Sequence, residues 1–126
     1  MASTKTTTIT ALAGILVVDF DADASPENNI TGNTSGTLYL IDIDNTANAS
    51  ETAYVRIRDA SSADPADSTN GVPMWMFIAA PGTKASYAMP DGQEYAAGLS
   101  MWCTTNNAKQ NVTAPTNAVI VKLVAS

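Results

Sequence analysis

Four carboxylates lie close together near the start of the chain, within the segment DFDADASPE: Asp19, Asp21, Asp23 and Glu27. Alternating carboxylates of this kind open the calcium loop of EF-hand proteins, because hard oxygen ligands suit a hard cation. The match then fails, since position six should be Gly and is Ala24, and position twelve should be Glu and is Ile30. A second acidic pair, Asp42 and Asp44, is within reach of the same ion only if the fold brings the two segments together. We expect a solvated acidic loop, with the four carboxylates as weak metal candidates.

Residues that perform covalent or proton-transfer chemistry are scarce. The sequence contains no histidine and a single cysteine, Cys103. Histidine is the commonest general base and the commonest transition-metal ligand, so neither a Ser-His-Asp triad nor a Cys-His pair can form. A Gly-rich phosphate-binding loop is also missing. The sequence therefore predicts a protein that is not an enzyme, with no catalytic residues and no cofactor.

The charge of the chain excludes two classes of partner. Its 126 residues include 12 acidic and 6 basic ones, which gives a net charge of −6. Phosphate binding requires Lys and Arg gathered on one surface, so we expect neither nucleic acid nor a membrane surface as a partner. Arg56 and Arg58 form the only close basic pair, and we interpret them as a solvated strand face. One cysteine allows no internal disulfide, which fits folding in a reducing cytoplasm.

The predicted secondary structure consists of short β-strands. Seven segments carry β-type patterns: residues 8–19, 37–44, 52–59, 73–79, 84–89, 98–105 and 117–124. The segments between them are built from Gly, Pro, Asn, Asp and Ser, which favour turns. About seven short strands at this spacing predict an all-β fold, a single antiparallel β-sandwich of the jelly-roll or Ig-like kind.

One of these segments, PMWMFIAAP, is apolar on both faces. Trp75 and Phe77 fall on one side of the strand, and Met74, Met76 and Ile78 fall on the other. A strand that is half-buried in a monomer should alternate apolar and polar residues. Either both faces are covered within the domain, or a neighbouring protein covers one of them. We name Trp75 and Phe77 as candidate interface anchors, with burial in the core of the same domain as the alternative.

The motifs of residues 37–124 resemble those of a known protein group. They lie in DNTANASETAYVRIRD, in PGTKASYAMPDGQEYAAGLSMWCTT and in TAPTNAVIVKLV. This pattern is similar to that of small β-rich proteins encoded among the structural genes of tailed bacteriophages and prophages. The shared motifs are turns and core strands, so they specify a fold lineage rather than an activity.

The resemblance implies a virion component, most simply a capsid decoration or cement protein on the surface of the phage head. Its partner would be the major capsid protein, and it would act as a homo-oligomer, with a trimer favoured. The family supplies no active-site residues. Two alternatives remain open: a tail, neck or fibre-associated component, and a module that binds carbohydrate on the host surface.

The N-terminal segment MASTKTTTIT differs from the rest of the chain. Its Thr-rich composition has β propensity but offers little to bury. We therefore predict that residues 1–10 form an arm and that residues 11–126 form the sandwich domain. An extended arm of this length reaches at most ~35 Å. We expect it to lie on an adjacent subunit or on the capsid shell, with Thr6, Thr7 and Thr8 as interface residues.

Overall fold

The computed structural model describes residues 3–7 and 14–126, and within these ranges the chain forms eight strands and no helix. The strands are β1 (Ser3–Thr7), β2 (Ile15–Ala22), β3 (Gly36–Asp44), β4 (Ala53–Asp59), β5 (Trp75–Ala79), β6 (Lys84–Tyr95), β7 (Leu99–Thr104) and β8 (Val119–Ala125). Each predicted segment overlaps an observed strand. The first predicted segment overlaps β2, which begins at Ile15, and residues 8–13 of that prediction lie outside the described residues.

The strands form two sheets in which every paired neighbour is antiparallel. The larger sheet has the order β1-β2-β8-β3-β6, and the smaller sheet has the order β5-β4-β7. The predicted all-β, antiparallel sandwich is confirmed. Apolar residues that alternate along the strands lie between the sheets, as in β4, where Ala53, Val55 and Ile57 are fully buried. Burial of each large aliphatic side chain contributes about 1.5–3 kcal/mol.

The connection between β2 and β3 extends the smaller sheet. Glu27 forms an antiparallel bridge with Met101 of β7, and the backbone N–H of Cys103 donates to the carbonyl of Asp23 at 2.7 Å. If residues 23–30 are counted as a strand and numbering starts at β2, the sheets read 1-8-3-6 and 5-4-7-2. That is the strand order of a jelly roll, the first of the two predicted alternatives.

A local irregularity in β6 explains the PDG motif. Leu38 of β3 lies opposite Gln93, whereas Leu40 lies opposite Ala88, so residues 89–92 bulge out of the ladder. Gly92 has a φ of 76°, and a Cβ at this position would lie 2.1 Å from Cγ2 of Thr37. Only glycine satisfies both the left-handed backbone and this close approach.

The described part of the N-terminal segment lies in the larger sheet of its own chain. β1 pairs with β2 in a regular register, with Thr6 opposite Leu16 and Thr7 opposite Ile15. Thr8 lies outside the described residues. Among these residues β1 has β2 as its paired strand, so contact between the arm and a neighbouring subunit stays a prediction.

Candidate functional site

The acidic segment is a strand end followed by a turn. Asp19 is only 1% exposed, on the inner face of β2, whereas Asp21 is exposed and Glu27 is half-exposed. Asp23 accepts the N–H of Ser25 at 2.7 Å, which is a local turn contact. Within residues 14–126, no three Asp, Glu or Cys side chains are placed to hold a metal ion. In this part of the chain the four candidate carboxylates therefore do not form a metal-binding group.

Asp19 and Cys103 share the interior near this segment. Burial raises the pKa of Asp19 to about 6; the hydrogen bond from the N–H of Asp21 opposes this shift, and the neighbouring carboxylates reinforce it. Burial, and then the nearby charges of Asp19 and Asp23, raise the pKa of the Cys103 thiol to about 12. The thiol is therefore protonated near neutral pH and shielded from solvent, which leaves it unsuited to nucleophilic chemistry.

The apolar stretch around β5 is largely explained within the domain. Trp75 lies opposite Ile57 and Phe77 lies opposite Val55, so both aromatic side chains face the inside of the sandwich. They are half-buried and pack against the core. The core alternative accounts for this placement, and a role of Trp75 and Phe77 at an interface stays a prediction.

Tyr87 closes the open edge between the two sheets. The rings of Phe77 and Tyr87 are 5.3 Å apart between centroids and tilted by 55°. The hydroxyl of Tyr87 donates to the carbonyl of Ile78 at 2.5 Å. Met74 and Ile78 are the exposed apolar side chains of this region. The edge is thus held by one aromatic pair and one hydrogen bond between β5 and β6.

Arg56 corrects one sequence interpretation, because it is buried and not part of a solvated face. Its exposure is 0%, and its Nε donates to Oγ1 of Thr104 at 2.8 Å. Its guanidinium also donates to three backbone carbonyls, those of Asn106, Ala108 and Lys109. The segment that follows β7 therefore lies over the outer face of the smaller sheet, the face on which Trp102, the residue opposite Arg56, is also buried.

Two buried asparagines explain the DNTANAS motif. The side-chain amide of Asn45 donates to the carbonyls of Glu51, Ala79 and Ala80, at 2.8, 3.3 and 3.2 Å. The amide of Asn48 donates to Oδ1 of Asn45 at 3.0 Å. Asn48 also exchanges two hydrogen bonds with the backbone of residue 117. This asparagine hub joins three loops at one end of the sandwich, so the motif stabilises the fold and carries no chemistry of its own.

A shallow depression of about 650 Å³ lies beside the ends of β3 and β6. The carboxylate of Asp59 within it already accepts the N–H groups of Ala96 and Ala97. Tyr95, the aromatic residue in its lining, is buried, and its hydroxyl donates to the carbonyl of Ser126 at 2.6 Å. The lining therefore offers no exposed aromatic platform of the kind that stacks on a sugar.

The outer face of the larger sheet is apolar and open. We call it the large-sheet face and define it by the outward positions of β2, β8, β3 and β6. The outward or exposed residues of β2 and β8 include two charged ones, Asp21 and Lys122. The other five are apolar: Leu16, Val18, Phe20, Ile120 and Val124. Phe20 is 53% exposed. Outward positions in a sandwich are ordinarily polar, so this face has the composition of a contact surface.

Charged residues border the apolar part of this face. Asp42 and Asp44 of β3 lie beside Lys122, and Lys84 of β6 lies beyond them. Together with Phe20 and Ile120 they line a depression of about 130 Å³. Sequence reasoning noted the acidic pair but missed the face as a whole. The signal was present, since β2 and β8 are apolar at consecutive positions instead of alternating ones.

These observations define a jelly-roll β-sandwich. The outer face of its smaller sheet is covered by its own chain, whereas the outer face of its larger sheet is not covered by the residues that the structure describes. No helix in the described ranges has the length and hydrophobicity needed to cross a bilayer. No family model, curated protein or solved structure matches this chain. Its function is therefore argued from its own surfaces.

Proposed function

We propose that this protein is a non-enzymatic virion structural protein, a decoration or cement protein that binds the major capsid protein of a tailed phage head and stabilises the shell. The observation that carries the proposal is the open, apolar large-sheet face. A small domain that leaves such a face in water lowers its free energy when another protein covers the face. In an assembled virion, the neighbouring protein would cover this face permanently.

The asymmetry between the two outer faces supports an assembly role. The smaller sheet is covered by its own chain, because Arg56 binds the segment after β7 and Trp102, beside Arg56 on the same face, is buried. The larger sheet has no such cover among residues 14–126. If exposed apolar strands were an accident of composition, both faces would be expected to show them.

The motifs behind the phage resemblance have structural roles in this fold. Asn45 and Asn48 tie loops together, and Gly92 permits the bulge in β6. Such motifs identify a scaffold, and a scaffold alone does not set a function. Jelly rolls are nevertheless common in viral capsid proteins, which agrees with the virion as the place where this one acts. The proposed state is a homo-oligomer made in the host cytoplasm and assembled onto the capsid surface.

Rebinding to capsids tests this function. Heads would be purified from the encoding phage after deletion of this gene, and the purified chain would then be added. We expect saturable binding to heads and a higher temperature of head disassembly, because bound subunits bridge neighbouring capsid proteins. Purified tails from the same deletion strain serve as the control. Binding to tails and not to heads would replace decoration by the tail alternative, and binding to neither would refute a virion role.

A further inference from the structure

The centre of the large-sheet face, around the depression of about 130 Å³, carries no net charge in a strongly acidic molecule. The exposed acids Asp21 of β2 and Glu94 of β6 lie outside this depression. Lys84 and Lys122 balance Asp42 and Asp44 on this face. The chain has 12 acidic and 6 basic residues, so the remainder, with 10 acidic and 4 basic residues, carries the whole charge of −6. Another copy of this chain is repelled by the rest of the surface and is not repelled here. The face is therefore the surface on which a second copy can approach most closely.

The register of the strands makes the face self-complementary. Across β8 and β3, Val124 lies beside Leu40 and Lys122 lies beside Asp42. Consider a two-fold axis that runs parallel to the strands, midway between β8 and β3. It places β8 of one copy over β3 of the other, so that Lys122 of each copy faces Asp42 of its partner. Val124 and Leu40 meet in the same way, and both contacts occur twice.

Lys122 is available for such a contact. Within residues 14–126, the ion pair on this face joins Nζ of Lys84 to Oδ2 of Asp44 at 3.8 Å, and Lys122 forms none. Oδ1 of Asp42 accepts the hydroxyl of Ser86 at 2.5 Å and has a second oxygen for another donor. Phe20 would come to lie over the aliphatic stem of Lys84, which covers its exposed ring.

We propose that the large-sheet face is a self-association surface on which two copies pack face to face, about 10 Å apart, around this two-fold axis. The face is four strands wide, with about 4.8 Å between strands, and three outward residues long, with about 6.8 Å between successive outward residues on a strand. Its flat area is therefore about 400 Å² per copy. A stable complex buries about 800 Å² per partner, so we expect a dissociation constant in the micromolar range or weaker. The contact produces a dimer and not the trimer that the phage resemblance favours, and it does not depend on a virion function. A second copy and the capsid protein would compete for this face, so the dimer is the state of the protein before it binds a shell.

Charge reversal tests the proposal. Sedimentation of the full chain from about 1 µM to about 1 mM brackets the expected dissociation constant. The wild type should dimerise, and Lys122→Asp and Asp42→Lys should each weaken the dimer by about tenfold or more, because each variant places like charges opposite each other twice. An equimolar mixture of the two variants should regain the wild-type affinity, since both pairs are attractive in the mixed dimer. Lys109→Asp, an exposed lysine away from the face, is the matched control.

Three results would overturn the proposal. They are a wild type that is monomeric at about 1 mM, a trimer that neither face variant alters, and a mixture that associates no better than the variants alone. Loss of capsid binding by Lys122→Asp, with self-association unchanged, would assign the face to the shell instead of to a second copy. Circular dichroism and the thermal midpoint of each variant confirm that the fold is retained.

Discussion

Replacing Asn45 with alanine should lower the free energy of unfolding by about 3 kcal/mol, because several buried polar groups lose their partners at once. The carbonyls of Glu51, Ala79 and Ala80 lose a shared donor, and the amide of Asn48 loses an acceptor. Asn45 is completely buried, so water cannot take its place without moving the loops. Released loops would also expose the end of the core between the sheets.

Urea unfolding at 25 °C measures this effect, with Asn33→Ala as the matched control. Asn33 is exposed, so its replacement should change the free energy of unfolding by no more than about 0.5 kcal/mol. If Asn45→Ala is also within about 0.5 kcal/mol of the wild type, the asparagine hub does not hold the three loops together.

Replacing Asp19 with asparagine should increase the free energy of unfolding at pH 7 by about 2 kcal/mol. Asparagine has nearly the same shape as aspartate, and it carries no charge that folding must remove from water. The pKa of Asp19 is about 6 in the folded chain and 3.8 in an unperturbed carboxyl. The folded state thus holds the proton more tightly than the unfolded state. The stabilisation that Asp19 contributes is therefore greatest below about pH 4, falls as the pH rises to about 6 and stays low above that. Each pKa unit corresponds to about 1.36 kcal/mol, so the full shift sets an upper limit near 3 kcal/mol.

The difference between Asp19→Asn and the wild type, measured by urea unfolding at pH 4 to 7, isolates this carboxyl. Asp44 and Asp67 have lowered pKa values, because hydrogen bonds to their carboxylates favour the charged form, and they shift wild-type stability in the opposite direction. Asp21→Asn, at an exposed neighbour in the same segment, should show almost no effect. A stabilisation by Asp19→Asn that is the same at pH 4 and pH 7, or a loss of stability at pH 7, would contradict the assignment.

The sandwich was predictable because local patterns encode it. Period-two alternation in β4 marks which residues enter the core, and turn residues mark where strands end. β1 was not predicted as a strand of the same sheet, because a polar strand is held by ladder hydrogen bonds that leave no hydrophobic pattern.

Long-range packing accounts for the remaining errors. Arg56 alternates with core residues exactly as a solvated arginine would, and only the segment that folds back after β7 buries it. Asp19 stands at the end of an apolar run, where a loop is the natural expectation, yet it faces the interior. The large-sheet face could have been found from β2 and β8, which are apolar on both sides. The apolar pattern of a strand indicates a contact surface and does not specify which protein covers it.

The number of copies in purified virions of the encoding phage tests the virion assignment most directly. Quantitative mass spectrometry with gel densitometry would compare this chain with the major capsid protein in intact particles and in separated tails. A decoration protein follows the symmetry of the shell, so we predict roughly hundreds of copies per particle, in fixed ratio to the capsid protein and absent from tails. Roughly a dozen copies or fewer, retained with the tails, would contradict the decoration role. Absence from the particle altogether would contradict the virion assignment itself.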